Sequence, residues 1–174
     1  MANALPVGAE PLNKLLPAAL ALVDAQVRPQ VFHQCGKQHE QVTAERYKTA
    51  AVDAEVAPFI SNMAQAYGWA DLVVCRAGAL TISELAAAGL PALLLPLPHA
   101  IDDHQTRNAG YLASQGAALL MAQATTSAAD LAASLTEVLM HSDRLNNMAS
   151  TARRLAKPDA TRTVVNICLE VARG

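Results

Sequence analysis

Three short apolar runs constrain this chain more than any other feature: "ADLVVC" at 70–75, continuous from Leu72, "PALLLP" at 91–96 and "AALLM" at 117–121. A strand with one wet face alternates apolar and polar residues, whereas a continuous run needs cover on both faces. Helix-length segments separate the runs, "LTISELAAAG" (80–89) and "DHQTRNAGYLASQG" (103–116), the second closed by a glycine. "RPQVFHQC" (28–35) reads as a further strand and "PLNKLLPAALALV" (11–23) as a helix. The pattern predicts an α/β domain: a parallel, doubly wound sheet with helices on both faces and right-handed crossovers.

The remainder changes character. "TSAADLAASLTEVLM" (126–140), "SDRLNNMASTARRLA" (142–156) and "DATRTVVNICLEVARG" (159–174) predict three successive helices. In the last, Val165, Cys168, Leu169 and Ala172 are expected to form a buried stripe. At the other end only "ALPVGAE" is available for the strand and glycine-rich turn with which such a sheet opens. The first strand is therefore expected to be altered or missing, leaving sheet edges open to pairing with another chain.

Composition narrows the function classes. Aromatics make up 3% of the residues, too few for the stacking platforms of single-strand nucleic-acid binders. Net charge is −2 with no basic block, which favours neither nucleic acid nor an anionic membrane surface. Cys35, Cys75 and Cys168 are odd in number and widely spaced, with neither disulfide nor zinc spacing, as suits a reducing cytoplasm. "MANALPVGAEPLN" lacks a secretion signal, and Pro91, Pro96 and Pro98 break the longest apolar stretch, so no membrane segment is expected. The 174 residues are expected to form one cytoplasmic domain.

Open parallel sheets bind ligands beyond the carboxyl ends of their strands, where helix amino termini present free N–H groups. Arg76 to Thr81 occupies such a place, and is either a phosphate cradle charged by Arg76 or an ordinary strand-to-helix turn. "TISE" (81–84) spells a capping box with Thr81 as N-cap; alternatively Glu84 accepts both hydroxyls of a ribose. "PLPHAIDDHQTRNA" (96–109) crowds His99, Asp102, Asp103, His104, Gln105 and Asn108 at the same edge. Aspartate and histidine there are suitable metal ligands, but either aspartate also serves as an N-cap and no second ligand cluster accompanies them, so no metal is expected. Gln105 and Asn108 share a helical face, as sugar ligands or as plain exposed polar residues. "HQCGK" (33–37) is a cleft wall or a surface loop, and "APFI" (57–60) precedes a helix start at Ser61. His39 and His141 read as isolated surface residues. No nucleophile elbow, Walker loop or zinc-protease motif occurs, and no cofactor is expected.

The stretch "FISNMAQAYGWADLVVCRAGALTISELAAAGLPALLLPLPHAIDDHQTRNA", with "GAEPLN", "HQCGK" and "KPDATRTVVNICLEVARG" around it, closely resembles the C-terminal half of the MurG family. That family transfers N-acetylglucosamine from UDP-N-acetylglucosamine to lipid I, the step that makes lipid II in peptidoglycan biosynthesis. The resemblance implies a GT-B glycosyltransferase, built of two Rossmann-like domains, of which this would be the UDP-sugar domain. Residue by residue, it implies that Ile60 meets uracil through its backbone and that Arg76, Ala79, Leu80 and Thr81 line the nucleotide and diphosphate. Glu84 matches the ribose-binding glutamate, and Gln105 a glutamine on the sugar hydroxyls. Asn108 keeps the family's asparagine, while His104 stands where some members have another glutamine. The family's acceptor domain and its proposed base have no counterpart here, and "MANALPV" replaces the first strand of the family's donor domain. The expectation is a donor-binding domain, inactive alone, at the inner face of the cell membrane when joined to an acceptor domain. Alternatives are the donor subunit of a split transferase working with an acceptor chain in trans, or a non-catalytic interaction module.

Overall fold

The computed structural model describes residues 2–7, 10–97 and 103–173. Six strands, β1 (Asn3–Val7), β2 (Gln30–Gln34), β3 (Glu55–Ala57), β4 (Leu72–Cys75), β5 (Ala92–Leu94) and β6 (Ala118–Leu120), form one parallel sheet. Among the described residues eight helices accompany them: α1 (Glu10–Leu22), α2 (Glu40–Thr49), α3 (Met63–Trp69), α4 (Ala79–Ala88), α5 (His104–Ala113), α6 (Ala128–Met140), α7 (Ser142–Leu155) and α8 (Ala160–Arg173). The strand order, β3-β2-β1-β4-β5-β6, is that of a Rossmann sheet, and it reverses direction between β1 and β4.

The uninterrupted apolar runs are explained by the two cores. Val73 and Cys75 of β4 and Ala92 and Leu94 of β5 face α4 and α5, in a core with Ile82, Leu85, Ala109 and Leu112. Their alternates Leu72, Val74, Leu93 and Leu95 face the other way, against Leu12, Leu16, Leu131 and Leu135 of α1 and α6. Each fully buried leucine contributes about 1.5–3 kcal/mol through removal of apolar surface from water.

The first strand is present. Asn3–Val7 pairs with both β2 and β4 and occupies the interior of the sheet, which corrects the expectation of a missing strand with open interior edges. Ala4 and Leu5 are buried, so this short segment supplies the apolar side chains the position requires. Pro6 is the anomaly, because proline brings no N–H to a ladder. Pairing with β2 holds at Asn3, Ala4 and Val7, whereas the run Ala4 to Val7 matches Leu72 to Cys75 of β4 without a break. The lost bond falls on one side only.

The expected stripe on the last helix is also corrected. No residue of α8 is buried, and Val164, Val165, Ile167, Leu169 and Val171 are all exposed, as is Cys168. Among the described residues no helix is long and apolar enough to cross a membrane.

Candidate functional site at the sheet's switch point

Val7 and Cys75 are paired at the carboxyl ends of β1 and β4, so Arg76 leaves the sheet where its winding reverses. Ligands of open α/β sheets bind in the crevice such a reversal creates. The turn Arg76–Gly78 leads directly into α4. Its first helical bond runs from the Ile82 N–H to the Gly78 carbonyl (3.0 Å), so the amides of Ala79, Leu80 and Thr81 have no acceptor within the helix. Gly78 is the N-cap and offers no side chain; its φ of −63° suits any residue. A Cβ there would sit an unstrained 3.5 Å from Thr81 Oγ1, so the bare backbone is not required by the fold itself. Leu80, 80% exposed, buries nothing for the domain.

Arg76 is half-buried, and its Nε is shielded from solvent with no hydrogen-bond partner. Burial also lowers its pKa, because the charged form has lost water. A guanidinium donor without an acceptor, next to a helix amino terminus, is chemically suited to an anion.

Glu84 does not complete the expected capping box. Helix α4 starts at Ala79, which puts Thr81 inside the first turn, and the Glu84 carboxylate accepts a hydrogen bond from the Tyr67 hydroxyl instead (Oε2, 2.9 Å). Tyr67 lies on α3, and burial, reinforced by this carboxylate, raises its pKa and keeps it a donor. Glu84 itself is exposed, and among the described residues its Oε1 has no hydrogen-bond partner.

Side-chain amides hold the loops around this turn. Asn108 Nδ2 donates to the Ala77 carbonyl (3.1 Å), and Gln105 Oε1 accepts from the Leu97 N–H (2.9 Å). Gln105 and Asn108 are thus neither free ligands nor idle surface residues. The bonds they make leave the Gln105 amide as a donor and the Asn108 Oδ1 as an acceptor. Farther along the same edge, Gln34 Oε1 accepts from the Ile60 N–H (2.9 Å), and Asn13 Nδ2 donates to the Cys35 carbonyl (2.9 Å). Ile60 itself is buried in the core that also contains Ala77 and Ile82, which ties the end of β3 to the Arg76 turn through packing. Of its backbone groups, expected to meet a base, the amide is already engaged by Gln34 and the carbonyl is the group left for that contact.

His104 opens α5 and is exposed; Asp103 precedes it as N-cap with φ of 52° and no side-chain cap bond. The capping role expected of Asp103 is therefore not realised, while His99 and Asp102 lie outside the described residues. Among the described residues no three histidine, cysteine or carboxylate side chains converge on one point. His39 is not isolated: its Nδ1 lies 3.3 Å from Glu10, which Arg46 also grips, and that grip lowers the Glu10 pKa to about 2. His141 likewise bonds the Glu137 carbonyl through Nδ1 (2.7 Å).

A groove of about 990 Å³ opens elsewhere, over β2 and β3, with Phe32, Trp69, Gln30 and Glu55 on its walls. It meets the candidate site only at Phe59 and Ile60, and neither Arg76 nor Glu84 lines it. Its walls run from the amino ends of β2 and β3 to Asn62, the N-cap of α3, and carry no cationic group of the Arg76 turn.

Sequence reasoning assembled Arg76, Ala79, Leu80, Thr81, Glu84, Gln105 and Asn108 around one turn, and it missed Tyr67 and Gln34. Neither carries a local motif; each is placed by a neighbour distant in the chain.

Comparison with known proteins gives three concordant results. Residues 7–164 match the glycosyltransferase family 28 C-terminal domain. Over 168 residues, 97% of this chain, it is 75% identical to a UDP-N-acetylglucosamine--N-acetylmuramyl-(pentapeptide) pyrophosphoryl-undecaprenol N-acetylglucosamine transferase of Ectopseudomonas mendocina. The same-named transferase of Pseudomonas fluorescens strain SBW25 is 74% identical over the same share. The chain spans 47% of the length of these two relatives. Among solved structures, MurG of Acinetobacter baumannii superimposes with a TM-score of 0.89 at 40% identity, over 98% of this chain and 52% of that one.

Proposed function

The chain belongs to the glycosyltransferase family 28 C-terminal domain family, and from that premise we propose that it is the donor-binding half of a peptidoglycan N-acetylglucosaminyltransferase, holding UDP-N-acetylglucosamine at the Arg76 turn. One observation carries the reading: a shielded guanidinium nitrogen without a partner stands beside the amino terminus of α4, at the switch point of the sheet. The diphosphate lies against the amides of Ala79, Leu80 and Thr81 and against Arg76. As the glycosidic bond breaks, negative charge grows on that diphosphate, and fixed dipoles with a guanidinium stabilise it without reorganising. Glu84 accepts from the ribose hydroxyls and the Ile60 carbonyl meets the uracil edge. The Gln105 amide donates to, and Asn108 Oδ1 accepts from, hydroxyls of the sugar, with His104 beside them on α5.

The base that activates the acceptor hydroxyl is not assigned to this chain. We place it in an acceptor-binding half, corresponding to the part of the relatives that this chain does not span. The 174 residues therefore bind donor but do not transfer by themselves, and act at the inner face of the cell membrane when the two halves are together. Calorimetry with UDP and UDP-N-acetylglucosamine tests the reading. Saturable binding is expected, with Glu84→Ala weaker by about 1.5–3 kcal/mol through loss of two charge-assisted hydrogen bonds. Binding that Glu84→Ala leaves unchanged rejects the role of Glu84; no binding at millimolar nucleotide rejects the donor site.

The uncovered apolar face of α8 favours a second reading, a two-chain transferase whose acceptor half is a separate polypeptide. Transfer restored by mixing this chain with an acceptor-domain polypeptide supports it, and no activity with any such polypeptide counts against it.

A further inference from the structure

We propose that Tyr67 is a positioning residue for ribose recognition: its hydroxyl clamps one oxygen of Glu84 so that the other meets the ribose diol. The inference rests on the donor-site reading of Glu84 and deepens it. A glutamate on an exposed helix face has three rotatable side-chain bonds, and freezing them on binding costs free energy that the contact must offset. Here Tyr67 Oη lies 2.9 Å from Glu84 Oε2, across the seam between α3 and α4. The tyrosine is half-buried on a helix whose neighbouring Ala66 belongs to the core, so the clamp stands on a fixed base. A phenol can donate only one hydrogen bond, which occupies one carboxylate oxygen and leaves Oε1 with both its lone pairs. Two vicinal hydroxyls need two acceptor sites on one side of a carboxylate, and the clamp leaves the face away from α3 to supply them. Orientation of this kind transmits selectivity for ribose over its deoxy forms without Tyr67 touching the ligand.

The experiment measures affinities of the full chain for UDP and for 2′,3′-dideoxy-UDP, in the wild type, Tyr67→Phe, Glu84→Gln and the double variant. Tyr67→Phe keeps the ring and its packing, and an unchanged melting temperature without ligand confirms that the fold is intact. The expected result is that Tyr67→Phe weakens UDP binding about three- to tenfold. It should leave the dideoxy ligand unaffected, and should add nothing in the Glu84→Gln background. Equal weakening for both ligands, or no weakening for either, overturns the proposal while leaving the Glu84 assignment standing if the wild type still prefers UDP. A wild type that binds both ligands equally refutes the ribose role of Glu84, and the proposal with it.

Discussion

His33 is wholly buried at β2, between Tyr47 of α2 and Asn13 of α1, and its neighbours fix its tautomer. Asn13 uses Nδ2 on the Cys35 carbonyl, so its Oδ1 faces His33 Nε2 (3.0 Å), which must carry the proton. Nδ1 then accepts from the Tyr47 hydroxyl (2.8 Å). A second proton on the ring would turn both nitrogens into donors and force Tyr47 to reverse. Burial accordingly depresses the His33 pKa to about 4 from its usual 6.5. The unfolded chain binds the proton first as pH falls, so the stability contributed by neutral His33 is complete above pH 6.5 and lost between 6.5 and about 4. The loss amounts to about 3 kcal/mol across that window. Glu10, held low by Arg46, gives up its contribution only below pH 4.5, in a separate window that ends near pH 2. Urea midpoints followed from pH 7 to 5, above the Glu10 window, should fall for the wild type and stay level for His33→Gln, whatever that variant's starting stability. A slope that survives the substitution assigns the effect to another group. Nothing in "HQCGK" announced this network, because its other side chains, Asn13 on α1 and Tyr47 on α2, meet His33 only through the packing of those helices on the sheet.

Helices that pack against the core could be read from their periodicity, and the last one shows where such a reading stops. The apolar stripe on α8 is real, but spacing cannot say what covers it, and among the described residues none buries it. Deleting residues 159–174 should therefore change the unfolding free energy by no more than about 1 kcal/mol, in contrast to any truncation reaching α6. Helix α6 buries Leu131, Leu135 and Val138 completely. Urea unfolding of the shortened chain checks this, and a loss of several kcal/mol would show that α8 packs on the domain in solution. The same two regions separate true from false helix starts. Ser127 and Asp130 form a reciprocal capping box at α6, whereas Thr81 and Glu84, of like spacing, do not. The turn after Arg76 enters the helix at Ala79, and Tyr67 takes the carboxylate. At the far end of α4 the glycine was informative. Gly89 has φ of 68°, and a Cβ there would press within 3.0 Å of Arg153, which donates to the Ala87 and Ala88 carbonyls. Helix α2 left no such trace, since only Thr43 and Tyr47 are buried along it, and β3 is three residues long. Strand β1 was obscured by Pro6, tolerated because β4 keeps the unbroken side of the ladder.

At the scale of the whole domain, fold and site follow from one decision, the reversal of winding between β1 and β4. It puts the amino terminus of α4 and Arg76 at the carboxyl edge of the sheet, while α3 and α5 bring Tyr67, Gln105 and Asn108 to the loops around that edge. The apolar runs revealed the layers because burial on two faces is a strong compositional demand. The candidate site was legible as a place, the strand ends around Arg76, but spacing left each residue with two readings, because single polar residues at loop ends impose no pattern on a sequence; only the resemblance to a family chose between them. A ligand that bridges these elements must stabilise the domain as a unit. At a hundredfold excess over the dissociation constant the gain is about 2.7 kcal/mol. For a domain of this size that raises the melting temperature by about 5–10 °C. UDP should produce this shift, and uridine at the same concentration little of it, because Arg76 and the α4 amides have charge to act on only when the diphosphate is present. Rising salt should shrink the UDP shift for the same reason. Equal shifts from uridine and UDP would count against the proposed anion contact at Arg76, and with it against the switch point as the place where this sheet meets a nucleotide.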